Sequence, residues 1–375
     1  MDQEISNDRP LEHESTLKEL PSTTRQAQTL SSRWLDLKGH PSGFDYIRVI
    51  LAASVLFWHS YQISYGKPAA LAFWKTPPGF LVEAILPMFF CLSGFLVSGS
   101  LERSGNLRKF LTLRIIRIYP ALCVEVFMSA LILGPIVTSV TLHEYFTSKE
   151  FFKYMLNTIG WIHYFLPGVF LENPFPGVVN ASLWTVPFEL ECYIVLPFLV
   201  LIGFMRSRLI SVSMFAAYTL AVFGLLYFLG EEGTPAGGLN GRVLVLCFVA
   251  GTVIFRLRAL LPYSGKLALV AGVLALFMLR YNATVCFAPL LVAYTTVYLG
   301  MLDPKRTMVI KNGDYSYGLY LYAGPIQQTV AYMFGSANGW ALNVAVALPV
   351  TIMFALFSWH YVEKPFLAVK RYVLS

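Results

Sequence analysis

Eight ionisable side chains lie inside or at the edges of long apolar runs: Arg48, His59, Glu83, Arg114, Arg117, Glu125, Glu189 and Glu191. A charge at the centre of a bilayer costs roughly 2.5–3.5 kcal/mol on insertion scales, so residues kept there usually serve a function or stand paired. Arg48 and His59 are eleven residues apart, which is about 16 Å and three turns of one helix, so they share a face. A histidine, with a free pKa near 6.5, suits a general base. An imidazole hydrogen-bonded to a neighbouring helix fits the same position. Arg114 and Arg117 stand at i, i+3 in RIIRIYP and point the same way. Two planar, permanently charged forks suit a phosphate-bearing ligand, although charge alone favours a basic anchor at a membrane surface. Glu189 has Tyr193 at i+4 on its own face, whereas Glu191 points about 160° away, so the two carboxylates make no pair on one helix. Glu83 lies at a depth similar to that of His59. Either Glu83 or Glu189 could hold the imidazole.

These residues need an apolar frame, and the composition supplies one. Of 375 residues, 56% are hydrophobic and 13% charged, against about 45–50% and about 25% in soluble domains. Too little charge remains to cover a soluble surface of this size, which excludes a soluble enzyme, a disordered chain and a disulfide-stapled secreted domain. The chain reads as an all-α, polytopic integral membrane protein. Ten apolar stretches of spanning character run roughly over 44–64, 79–100, 112–136, 182–204, 209–229, 241–256, 266–280, 283–300, 314–335 and 339–362. The connection 138–181 is too interrupted by proline to span, and its Trp161, His163, Tyr164 and phenylalanines point to an interfacial or re-entrant element. With both termini in the cytoplasm, 22 of the 28 Lys and Arg fall on the cytoplasmic side. The net charge of +7 then reads as basic loops facing lipid headgroups, not as a nucleic-acid surface.

Residues 1–40 are polar and of mixed charge and read as a disordered cytoplasmic tail. Residues 41–367 form the transmembrane domain, and 368–375 a cytoplasmic end. The five cysteines all sit in apolar runs and read as small hydrophobes. No HExxH or paired CxxC points to a metal, no GxxxxGK[ST] to a P-loop and no GxSxG to a nucleophile elbow. In FFCLSGF, Ser93 and Gly94 suit close helix packing.

In order, the segments GFDYIRVILAASVLFWHS (43–60), LPMFFCLSGFLVSG (86–99), RKFLTLRIIRIYPAL (108–122), SLWTVPFELECYIVLP (182–197), GDYSYGLYLYAGPIQQ (313–328) and SWHYVEKPF (358–366) resemble the membrane acyltransferase-3 family. The resemblance implies an enzyme that takes an acyl group from cytoplasmic acyl-CoA, by default acetyl-CoA. It passes the group to a hydroxyl of an outward-facing or lipid-linked glycan, in the plasma membrane of a bacterium. No bound cofactor is implied. By position, His59 matches the family's catalytic histidine. Arg48, Arg114 and Arg117 match arginines associated with acyl-CoA. Glu189 and Tyr193 match the acid and tyrosine of a stretch headed by Trp184, and Glu363 matches the acid of a terminal E-K-P. Glu83, Trp184, Ser93 and Glu363 are expected in support. The chain departs from the pattern at Ala323–Gly324, where many members carry a histidine, and at His360 and Pro187. A separate periplasmic acyltransferase partner would be on another chain. The expected site is a polar path from Arg114 and Arg117 to His59. Transfer runs either directly or through an acyl-imidazole on His59. The alternatives are a transporter or flippase of a glycan or lipid-linked sugar, which would leave acyl-CoA intact, and a structural or sensory membrane module.

Overall fold

The computed structural model describes residues 28–233, 238–335 and 339–368. A helix stands at each of the ten apolar stretches, and no strand forms among the described residues. The long elements are α2 (Gly43–Phe73), α3 (Pro77–Ser104) and α4 (Leu107–Met128), which continues through a π-helical turn, Ser129–Leu133, into α5 (Gly134–Val137). After the long connection come α8 (Val186–Leu201), α9 (Arg208–Leu229), α10 (Gly241–Leu257), α11 (Gly265–Leu279) and α12 (Pro289–Gly300). The short α13 (Met308–Lys311) precedes α14 (Ser316–Phe334) and α15 (Gly339–Phe357). The last runs through a second π turn, Ser358–Glu363, into α16 (Lys364–Ala368). Five of these helical stretches are long and apolar enough to cross a membrane: Pro77–Ser104, Leu107–Val137, Ala181–Leu201, Arg208–Leu229 and Gly339–Ala368. Gly265–Leu279 and Pro289–Gly300 are apolar but shorter.

Ordered structure begins earlier than position 41. Thr29 and Ser32 form a reciprocal capping box that starts α1 (Leu30–Asp36). Leu30 is fully buried, and the Trp34 ring packs edge-on against Phe44 and Phe95. The part of the expected disordered tail over 28–40 is therefore folded across one end of the bundle, because two apolar side chains in a polar stretch find a pocket there. Positions 1–27 and 369–375 lie outside the described residues.

The connection 138–181 carries α6 (Leu142–Thr147) and α7 (Lys149–Met155), then a largely non-helical stretch that folds back into the bundle. Non-helical backbone inside a membrane protein must find partners for its polar groups. Here Gln328 of α14 donates to the carbonyls of Phe175 and Val178 and accepts from Asn173. Asn157 bonds both backbone groups of His163. Tyr145 donates to the carbonyl of Ala130 inside the first π turn, and a Cβ on the facing Gly134 would collide with its hydroxyl.

The tightest packing joins α3 and α10. A Cβ on Gly94 would meet the Phe248 carbonyl oxygen at 1.9 Å, and one on Gly251 would meet that of Cys91 at 2.0 Å. The small residue at 94 thus lets two backbones touch, as the FFCLSGF segment suggests. Replacing Gly251 with Val should overpack this contact by about 1–3 kcal/mol or more. The check is the unfolding temperature of the purified protein in detergent, which should fall, with a lower yield of folded protein.

Candidate active site

The site is an open-mouthed cavity of about 440 Å³. Its mouth lies where α2 begins and α3 ends, lined by Trp34, His40, Asp45, Arg103 and Arg306. Its inner end reaches Leu86, Phe89, Thr185 and Tyr320. Arg48, Arg114, Arg117, Glu189, Tyr193 and Ser93 line the interior, so six of the sequence-derived residues converge. Arg48 is on α2, Ser93 on α3, the other two arginines on α4 and the remaining pair on α8.

The arginines divide into two kinds. Arg117 donates to Asp314 at 2.7 Å and to Glu363 at 2.9 Å, and lies over the rings of Tyr317 and Trp359. Glu363 reaches it from the second π turn, where one extra residue turns this carboxylate inward, and Ser358 holds its other oxygen at 3.1 Å. Arg48 pairs with Asp314 at 3.3 Å and with Asp45 at 3.6 Å. Arg114, by contrast, has no carboxylate partner among the described residues. It reaches Ser100 at 3.4 Å and lies over the rings of Phe110 and Tyr193.

Glu189 starts one turn into α8 and accepts a 2.8 Å hydrogen bond from Tyr193, as their i, i+4 spacing requires. Glu191 is exposed and off the cavity. The start of α8 is set by Asn180, which caps the 3-10 turn Ala181–Thr185 by accepting from the Ser182 amide. The Asn180 amide also donates to the Leu321 carbonyl and to Glu125, a buried carboxylate that Ser129 bonds as well. Tyr320 donates to the Ser182 carbonyl and pairs with the Thr185 hydroxyl at 2.6 Å. The inner wall of the cavity thus hangs on Glu125 and Asn180.

His59 stands apart. It is buried, its Nδ1 has no hydrogen-bonding partner among the described residues, and it is not among the residues that line the cavity. The expected continuous path from the arginines to His59 is therefore not an open one. Neither expected carboxylate holds the imidazole. Glu83 bonds Arg280 at 3.3 Å, and Arg280 also donates to the Trp74 carbonyl and lies over Phe80. A buried carboxylate takes a permanent cation when one is in reach. Trp184 packs edge-on against Phe188 and does not line the cavity. All five cysteines are free thiols.

Sequence reasoning noticed Glu125 without assigning it a role. It missed Asp314, Arg103, Arg306, Thr185 and Tyr320. Asp314 had a signal in hindsight, as an acid just before the polar SYG start of a span in a chain with few acids.

The pattern of an acyltransferase domain matches residues 42–361. The chain belongs to this acyltransferase family. It is 27% identical over 339 residues to an O-acetyl transferase of Shigella phage Sf6, covering 86% of this chain and 95% of the phage protein. It is 26% identical over 368 residues to nodulation protein 10 of Rhizobium leguminosarum bv. viciae, covering 90% of this chain and 96% of that protein. No solved structure matches it. This is a multi-pass membrane acyltransferase, and the cavity is its candidate active site.

Asp314 lies in the connection before α14. Burial pushes its carboxyl up, but Arg117, Arg48 and the Ser316 hydroxyl and amide more than offset this and hold it at about 2, below the usual 3.8. A depressed carboxylate stabilises the fold above its unfolded pKa and loses that stabilisation as pH falls through its folded pKa. Asp314 should thus contribute roughly 2 kcal/mol from neutral pH down to about 4. Thermal unfolding of wild type and Asp314→Asn across pH 7 to 2 checks this. The gap between them should be constant above about 4 and close below it.

Proposed function

We propose that this acyltransferase moves an acetyl group from acetyl-CoA, entering at the arginine-lined mouth, to a hydroxyl of an outward-facing or lipid-linked glycan. The mouth would face the cytoplasm of a bacterial cell, with ten helices crossing the plasma membrane. The observation that carries this reading is the cavity itself. Its lining gathers five arginines, as a phosphate-bearing donor requires, together with a carboxylate and a tyrosine, Glu189 and Tyr193. The relative named O-acetyl transferase supports the acetyl donor and the oxygen acceptor.

The chemistry asks for three things. The acceptor oxygen must lose its proton as it attacks the thioester carbonyl. The oxyanion of the tetrahedral intermediate needs a donor. The thiolate must leave and pick up a proton. His59 is the proposed base. Its imidazole carries no protein hydrogen bond at Nδ1 that would tie up that nitrogen, and it continues the Arg48 face of α2 three turns further in. An acceptor would reach it from the end opposite the arginines, while the long pantetheine arm brings the acetyl group inward. Tyr193 places its hydroxyl in the cavity and donates its one proton to Glu189, so it would serve the oxyanion by turning that proton from the carboxylate to the substrate. A second reading makes Glu189 the base, because it lines the cavity and His59 does not.

The test uses inverted membrane vesicles that hold wild type, His59→Ala or Glu189→Gln at matched expression. Acetyl-CoA is supplied with label in the acetyl group, and label is followed into lipid and glycan fractions. Wild type should transfer label, and His59→Ala should lose at least 100-fold. Full activity in His59→Ala with loss in Glu189→Gln would move the base to Glu189. Intact acetyl-CoA beside a translocated glycan would make the protein a transporter.

A further inference from the structure

The cavity is lined by five arginines, and the carboxylates around them do not treat these equally. Arg117 is bonded by Asp314 and Glu363, Arg48 by Asp314 and Asp45, and Arg306 reaches Asp45 at 3.6 Å. Two of the five, Arg103 and Arg114, have no ion-pair partner among the described residues. Both line the cavity, and Ser100 stands between them, with its hydroxyl 3.4 Å from the Arg114 guanidinium. Arg103 lies one turn from Ser100, at the last turn of α3. Its guanidinium folds back along the helix to within 3.4 Å of where a Gly99 Cβ would sit. The Nε of Arg114 is buried and unpartnered.

An arginine already bonded to two carboxylates offers little net charge to an incoming phosphate. A dianion would have to break both pairs and leave two acids uncompensated nearby. An arginine outside any ion pair keeps its fork of donors free, and Arg114 has only the more distant Glu189 to share its charge with.

We propose that the phosphate groups of the donor bind at Arg103, Ser100 and Arg114, and that Arg117 is a strut that ties α4 to α14 and to the C-terminal π turn. This rests on the acyl-CoA reading above. It reassigns the second arginine of the RIIR pair and adds Arg103, which no periodicity within α4 reveals. The first arginine, Arg114, is the phosphate ligand from α4, facing Ser100 and Arg103 of α3. The pantetheine arm then runs inward along α3, past Ser93 and Phe90 towards Thr185 and Tyr320, all of which line the same cavity.

The experiment measures equilibrium binding of coenzyme A and of pantetheine, which lacks every phosphate, to the full-length protein in nanodiscs. Binding needs no acceptor, so it reads the donor site alone. In zwitterionic phosphatidylcholine discs, Arg103→Gln and Arg114→Gln should each weaken coenzyme A binding about tenfold, the scale of one charge-assisted hydrogen bond. Pantetheine binding should not change, and Arg103→Lys should recover part of the loss. Arg108→Gln, a charge removed from the adjacent surface off the cavity, should bind like wild type. Ser100→Ala should weaken coenzyme A binding less than either arginine change and provides a second variant if an arginine change fails to fold. Arg117→Gln should lower the unfolding temperature more than Arg103→Gln does.

If wild type binds coenzyme A and Arg103→Gln binds it equally well, the phosphate site is wrong and the acyl-CoA reading stands. If wild type binds no coenzyme A, the acyl-CoA reading falls and takes this site with it. An effect of Arg103→Gln that appears only in discs of anionic lipid would assign Arg103 to a lipid headgroup phosphate and overturn the proposal. An equal loss for pantetheine would show a general distortion of the cavity and overturn it too.

Discussion

A permanent charge among apolar helices cannot be neutralised by giving up its proton, and Arg117 is met by two acids instead. The two that meet it come from far along the chain. Asp314 is 197 residues away and Glu363 is 246. The pairing closes the bundle by joining α4 to the start of α14 and to the turn that ends α15. It also fixes the floor of the mouth, because Asp314 reaches on to Arg48 of α2. Four separate parts of the chain are thereby brought to one level, and the cavity is the space left between them. The π turn at Ser358–Glu363 belongs to the same constraint. A regular helix would carry Glu363 round by about 100°, away from the cation it has to meet.

A second buried carboxylate does similar work without a cation. Glu125 receives only neutral donors, Asn180 and Ser129. Its effect passes through Asn180 to the start of α8, and from there to Thr185, Tyr320, Glu189 and Tyr193. The chain between α7 and α8 is largely non-helical, with only two short 3-10 turns, so no long regular element fixes where α8 begins. The side chains of Asn173, Asn180 and Gln328 replace the missing ladder, each bonding backbone of another segment. That is why so polar a set lies inside so apolar a protein.

The sequence carries the local part of this design openly and the long-range part hardly at all. The helices sit where the apolar runs are. The pairing of Glu189 with Tyr193, and the outward turn of Glu191, follow from helical geometry alone. The shared face of Arg114 and Arg117 was equally legible, but their different fates were not. One turn of helix separates an arginine bonded to two carboxylates from an arginine with no ion pair among the described residues, and only the folding of distant segments decides which is which. Glu83 shows the same limit. Its depth suggested His59, yet the cation it meets, Arg280, is at the far end of α11. Trp34 and Leu30 were hidden for another reason. Two apolar residues in a polar stretch leave no periodic trace, though they suffice to dock a seven-residue helix.

The position of His59 bears on how such an enzyme works across a membrane. A base inside the donor cavity would be within reach of water entering at the mouth, and water there would hydrolyse the thioester. The imidazole is instead buried and off the cavity lining, three helical turns from Arg48 on the same face of α2. In the proposed reaction the acetyl group must therefore arrive before a base can serve an oxygen nucleophile, and only an acceptor from the opposite end can offer one. The apolar inner wall at Leu86 and Phe89 then has a purpose beyond packing. In the proposed reaction it would keep the two hydroxyl sources, solvent on one side and glycan on the other, from meeting the thioester on equal terms. The Glu189 reading lacks this separation, because that carboxylate lies in the open cavity with the donor. A Glu189 base would have to exclude water by closure of the mouth, and the helix that crosses the mouth, α1, is held by backbone bonds from Leu30 and Ser31 to the carbonyls of Leu261 and Arg258. The two assignments thus make different demands on the same end of the protein.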